Sequence, residues 1–204
     1  MKFDYKPHVQ KLLNSGISPR SGDAIAFISE NDVYVSKYGA DLSDLSDNDF
    51  ISFPAGGEPS SLDSDLAALC KLLKIGKNAA FVKVSPRYAE FMAKMGADIP
   101  AVLDDMAQIV GPSLRKSPSY KRVKAKMRFG RTCALLPDNS LFAMGRTLDE
   151  AVIAALVAEK SSGVYAQAQK LGGAKSINLA EALLMRVIYK LKYSKSNIAA
   201  HKDI

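Results

Sequence analysis

His8 and His201, with Cys70 and Cys133, are all the imidazoles and thiols in this 204-residue chain. A zinc ion wants three or four imidazole, thiolate or carboxylate ligands, and a thiol nucleophile wants an imidazole beside it. The two histidines lie near opposite ends, so neither chemistry is served. The cysteines sit in apolar runs, Ala68-Leu69-Cys70 and Cys133-Ala134-Leu135, and read as buried, reduced thiols. Lys83 is a different case, because a desolvated lysine can form a Schiff base with a carbonyl substrate. Asp104-Asp105 is weaker as an acid/base pair, since adjacent residues diverge on a helix and acidic groups near its start suit the helix dipole. Asp41, Asp44, Asp47 and Asp49 lack the glycine and terminal glutamate of an EF-hand loop and read as a solvated turn.

The remaining chemistry is charge. The net charge is +7, and residues 109–137 contain no acidic residue. Within them Arg122, Lys124, Lys126 and Arg128 alternate with Val123, Ala125, Met127 and Phe129, a period-two pattern that predicts a strand with four cations on one face. Such a face could bind anions. A solvated outer strand whose cations discourage edge pairing is the stronger reading, and nucleic acid is not expected because no aromatic interleaves the cations.

Positioning these residues falls to one domain, spanning 1–195, with 196–204 as a loose polar tail. A hydrophobic fraction of 48% and a charged fraction of 24% are ordinary for a globular chain, which at this size buries roughly 70% of its unfolded surface. No apolar run reaches the roughly 20 residues that span a bilayer, and the charged N-terminus does not read as a signal peptide, so a cytoplasmic protein is expected. Helices are predicted over 7–15, 62–75, 87–95, 102–110, 147–171 and 178–193. Strands are predicted over 24–29 and 33–37 as a hairpin, then 50–53, 78–85, 132–136 and 141–144. Ser60 and Ser61 read as the cap of the second helix, and Thr147 with Glu150 as a capping box for the fifth. The mixture predicts an α/β domain on a largely antiparallel sheet.

Several segments then fall into order. Arg20-Ser21-Gly22-Asp23, Ser36-Lys37-Tyr38-Gly39, Pro59-Ser60-Ser61, Ile99-Pro100-Ala101-Val102-Leu103 and Leu135-Leu136-Pro137-Asp138-Asn139-Ser140-Leu141-Phe142-Ala143-Met144-Gly145-Arg146-Thr147-Leu148 resemble, in sequence and spacing, segments of the class II aldolase/adducin superfamily. The resemblance covers about residues 5–195. It implies a three-layer α/β/α fold, a homotetramer, and kinship with zinc-dependent sugar-phosphate aldolases and epimerases and with adducin. It also implies a phosphate seat at Gly22, Asp23, Gly39, Ser60 and Ser61, with Asp23 replacing the family's asparagine.

The departures fall on the chemistry. Aligned with the family, Val82 and Val84 stand where a histidine pair would hold zinc, Asn139 replaces a third histidine, and Leu62 replaces the acid/base glutamate. A one-residue shift of that strand would offer Phe81 and Lys83, no better for a metal. In the first alignment Lys83 points away from the pocket. Without the cation nothing polarises a carbonyl or holds an enediolate, and a lost acid/base costs a factor of roughly 10² to 10⁴. The expected protein is therefore a catalytically silent aldolase relative with no cofactor and a vestigial pocket for a phosphorylated small molecule. The alternatives are a ketose 1-phosphate lyase with a non-standard site, and a binder of nucleic acid or another anionic partner.

Overall fold

The computed structural model describes residues 3–200, with side chains as far as residue 192. The chain opens with helix α1 (Lys6–Asn14), started by Pro7 in its first turn, where a missing N–H costs nothing. Strands β1 (Ala24–Ser29) and β2 (Asp32–Ser36) form the expected hairpin, and β3 (Phe50–Pro54) pairs with β2. Helix α2 (Ser64–Cys70), β4 (Ala80–Val84) and α3 (Arg87–Lys94) follow. Two-residue strands β5 (Ile99–Pro100) and β6 (Ser113–Leu114) form a separate small ladder around a π-helical turn at Met106–Val110. The single-turn helix α4 (Val123–Lys126) precedes β7 (Cys133–Leu135) and β8 (Leu141–Gly145), and the long helices α5 (Leu148–Lys170) and α6 (Leu179–Ala200) close the chain.

The six-stranded sheet has the order β3-β2-β1-β4-β8-β7, and each neighbouring pair is antiparallel. Alternation along the strands builds two cores. Ile25, Phe27, Val82, Val84, Leu141 and Ala143 point to one face, beneath α1, α3 and α5. Ala24, Ala26, Phe81, Phe142 and Met144 point to the other, beneath α2 and Val123 of α4. This is the three-layer arrangement expected, with β4 buried on both faces.

Three local expectations are corrected. Residues 122–128 are not a strand. Tyr120–Arg122 is a 3-10 turn leading into α4, and Tyr120, Val123 and Met127 all pack onto the second core. Their i, i+3, i+7 spacing is helical, and burial of those three side chains outweighs the period-two run of cations. Helix α2 is short and is capped by Asp63, whose carboxylate accepts from the backbone N–H groups of Asp65 and Leu66 (2.9 and 3.1 Å). Ser60 and Ser61 therefore lie in the preceding exposed turn and open no helix. Thr147 caps α5 through the Glu150 N–H, but the Glu150 carboxylate turns to the Arg146 backbone and guanidinium instead of closing a capping box. At the other end of the chain α6 continues past Tyr193 to Ala200, and residues 201–204 of the expected tail lie outside the described residues.

The turn from β8 into α5 is the tightest point of the fold. A Cβ on Gly145 would stand 2.5 Å from the Ala151 nitrogen and 2.7 Å from the Thr147 carbonyl oxygen. Backbone atoms cannot yield there as a side chain could. Gly145→Ala is expected to cost about 3 kcal/mol of stability, read from urea unfolding midpoints.

Candidate active site

The site is assembled by β4, the turn before β1, and the β7–β8 turn. Phe81 and Lys83 share one face of β4, and Val82 and Val84 share the other. Lys83, only 8% exposed, donates from Nζ to the Gly22 carbonyl (2.6 Å) and pairs with Asp138 Oδ2 (2.9 Å). Leu62 packs on this same face. Val82 and Val84 lie against the α1, α3 and α5 layer, on the opposite face of β4 from Lys83 and Leu62, and Lys83 points toward the Gly22 and β7–β8 turns.

Asp138 was not singled out by the sequence, yet it is the hub. Its Oδ1 accepts from the Ser140 N–H (3.1 Å) and hydroxyl (2.6 Å), closing the β7–β8 turn. Burial pushes its carboxyl up, but the Ser140 bonds and the Lys83 ammonium outweigh this and hold it below the usual range. Burial first, and the neighbouring Asp138 carboxylate second, push the Tyr120 phenol up. A turn signal, Pro137-Asp138-Asn139-Ser140, was visible in the sequence, but a partner as distant in the chain as Lys83 leaves no local trace.

Asn139 takes a left-handed backbone (φ 70°), and its Oδ1 accepts from the Lys116 ammonium (2.7 Å), which also bonds to the Ala93 carbonyl. Its amide is thus spent on scaffolding. Asp23 is buried, 1% exposed, and turned inward, accepting from the Arg20 N–H (3.0 Å) and the Ser85 hydroxyl (3.1 Å). Burial raises its pKa, opposed by those bonds and by Lys83. Gly22 (φ 92°) and Gly39 (φ 81°) hold left-handed turns, and a Cβ on Gly22 would fall 3.7 Å from Lys83 Nζ and 3.8 Å from the Tyr38 ring. The Gly22 turn, Tyr38 and Lys83 therefore converge.

The two thiols lie in separate cores, Cys70 with α2 and Cys133 on the opposite face, and burial pushes each up to about 12. Among the described residues no group of three or more histidine, cysteine, aspartate or glutamate side chains could hold a metal ion.

No protein-family model and no curated protein sequence matches the chain. Solved structures do. It resembles an L-fuculose 1-phosphate aldolase with a TM-score of 0.76 at 18% identity, over 91% of this chain and 93% of that one. The L-fuculose-1-phosphate aldolase of Thermus thermophilus gives a TM-score of 0.66 at 16% identity, covering 84% and 96%. A sugar-phosphate aldolase from Thermotoga maritima gives 0.58 at 13% identity, covering 83% and 95%. The fold is that of the class II aldolases. For the zinc that this fold family implies, the donor set does not fit. Val82 and Val84 offer no donor, the Asn139 amide is engaged by Lys116, and the Lys83 ammonium on the other face of β4 is paired to a carboxylate.

Two measurements test this geometry. Asp138→Asn leaves a buried ammonium without its counter-ion and is expected to cost about 1–2 kcal/mol, since the carboxylate is partly solvated. Lys83→Met removes the charge that needs pairing and is expected to stay within about 1 kcal/mol of wild type. A costlier Lys83→Met than Asp138→Asn in urea titrations would refute the pairing argument. For Asp23 the folded pKa lies above the unfolded one, so protonation favours folding, and stability from this group falls as pH rises through the folded pKa. An asparagine at that position can accept from Arg20 and donate to Ser85 without ionising. Asp23→Asn is therefore expected to be more stabilising, relative to wild type, at pH 8 than at pH 4.

Proposed function

We propose that this chain is a catalytically silent protein on the class II aldolase fold, acting through binding and assembly rather than metal-dependent carbon–carbon cleavage. What supports this is the donor set: among the described residues no three histidine, cysteine, aspartate or glutamate side chains are grouped to hold a metal ion, and Val82, Val84 and Asn139 stand where the alignment puts the family's ligands. On the other face of β4 the Lys83 ammonium is engaged by the Gly22 carbonyl and the Asp138 carboxylate. Leu62, packed on the same face, offers no proton.

Part of an anion seat is compatible with this reading. The Gly22 turn and Tyr38, next to Gly39, approach each other beside Lys83, and Ser60 and Ser61 are exposed and unencumbered by helix capping. Asp138 neutralises most of the attraction, so a phosphorylated small molecule would bind weakly. Assembly finds support in α6, where Leu184, Val187, Ile188 and Leu191 are 53–60% exposed at helical i, i+3, i+4, i+7 spacing. An apolar stripe of that kind suits burial against a second copy, in keeping with a homotetramer.

A second reading keeps Lys83 as a Schiff-base lysine in a ketose 1-phosphate lyase, favoured by its burial beside the Gly22 turn. One experiment separates the two. Purified protein is incubated with a ketose 1-phosphate and borohydride, and assayed in parallel for aldol cleavage and bound zinc. No adduct, no cleavage and no stoichiometric zinc are expected. A reduced adduct on Lys83, or cleavage with zinc, would overturn the silent reading. In light scattering, Val187→Glu with Leu191→Glu is expected to lower the oligomer's mass; a wild-type monomer would remove the assembly claim.

A further inference from the structure

The short segment that replaces the expected basic strand forms one wall of a groove on the α2/α4 side of the sheet. The opposing wall is the turn between α2 and β4. The groove measures about 700 Å³, and its lining includes Lys71, Lys74 and Lys77 from one wall and Lys121, Arg122, Lys124, Arg128 and Arg131 from the other, with no acidic residue. Met127, Leu72 and Met144 supply its apolar floor. Lys71 pairs with the exposed Glu58, and Arg131 is spent on Ser113 and the Arg128 carbonyl. Lys74, Lys77, Lys121, Arg122, Lys124 and Arg128 have no acidic partner among the described residues.

We propose that this groove binds the phosphate backbone of a single-stranded nucleic acid. The cations are strung along two facing walls, whereas a single phosphate would want donors converging on one point. A row of phosphates releases its counter-ions onto such a groove, and that release drives binding. The choice of nucleic acid over an acidic peptide comes from Phe129. Sequence reasoning discounted nucleic acid because the cations stood on a presumed strand without an aromatic. In the folded chain Phe129 is 65% exposed, lies between two groove-lining arginines, and is held out in a left-handed backbone conformation (φ 60°). The Arg131 guanidinium sits 5.7 Å from its ring centroid. An exposed ring braced by a guanidinium at the end of a cationic groove offers a base a stacking face, which an acidic side chain does not use.

The experiment is fluorescence anisotropy with a labelled single strand of mixed sequence, about 20 nucleotides long, at about 50 and 200 mM salt. If about four phosphates are neutralised, affinity is expected to fall about 50-fold between the two. Lys77→Glu with Lys124→Glu is expected to weaken binding at least tenfold and to flatten the salt dependence. Lys170→Glu with Lys175→Glu, the same charge change at the far end of α5, should leave both unchanged. Phe129→Ala is expected to weaken binding several-fold with the salt slope retained. Unaltered circular dichroism melts confirm folding, and Lys77→Gln with Lys124→Gln should repeat the effect at smaller amplitude. Absence of binding at the lower salt, equal loss from the α5 pair, or equal competition by polyglutamate of the same charge would each overturn the proposal.

Discussion

A buried ammonium has to be paired, and the pairing of Lys83 ties together segments that the chain brings from far apart. A charge left unpaired at that depth costs stability, so β4, the Gly22 turn and the β7–β8 turn are held in one arrangement by a carbonyl and a carboxylate. The same Asp138 closes the β7–β8 turn by accepting from the Ser140 N–H and hydroxyl, so one carboxylate fixes both the ion pair and the turn that carries it.

Most of the fold was legible because the strands and long helices carry their own signals. The hairpin of β1 and β2 shows in two short apolar runs around Glu30-Asn31-Asp32, and α5 in Thr147 at the right distance before a long apolar repeat. Residues 120–128 defeated the same reasoning, since alternating cations mimic a half-buried strand while Tyr120, Val123 and Met127 keep helical spacing. Cation spacing carries little energy in water; three apolar side chains placed on a core carry several kcal/mol, and they decide. At the site, the alternation of Val82, Lys83 and Val84 put the lysine on the opposite face of β4 from the two valines, but the partners of that lysine could not be read. Asp138 escaped notice because its importance lies in a contact made only on folding.

The fold similarity at 13–18% identity shows which part of the sequence the architecture needs. Two-faced alternation on six strands, a tight glycine turn at Gly145 and a long α5 packed on the sheet suffice to specify three layers. Nothing in that requirement involves the donors of a metal site. Polar residues in the turns and on the central strand can vary without disturbing the layers, provided each buried polar group keeps a partner.

The distribution of charge follows the same division between layers. On the α1, α3 and α5 side several cations are matched: Lys11 pairs with Asp149, Arg20 and Lys94 with Glu90, and Lys160 with Asp105. The α3 start is itself held by Glu159, whose carboxylate accepts the Tyr88 and Ala89 N–H groups. On the α2/α4 side six cations line one groove without such matches, so much of the net charge of +7 is gathered on one face of the sheet instead of being spread over the surface. Gathering like charges costs free energy that dispersal would avoid. An arrangement that keeps this repulsion beside an exposed aromatic is most simply understood if an anionic partner relieves it.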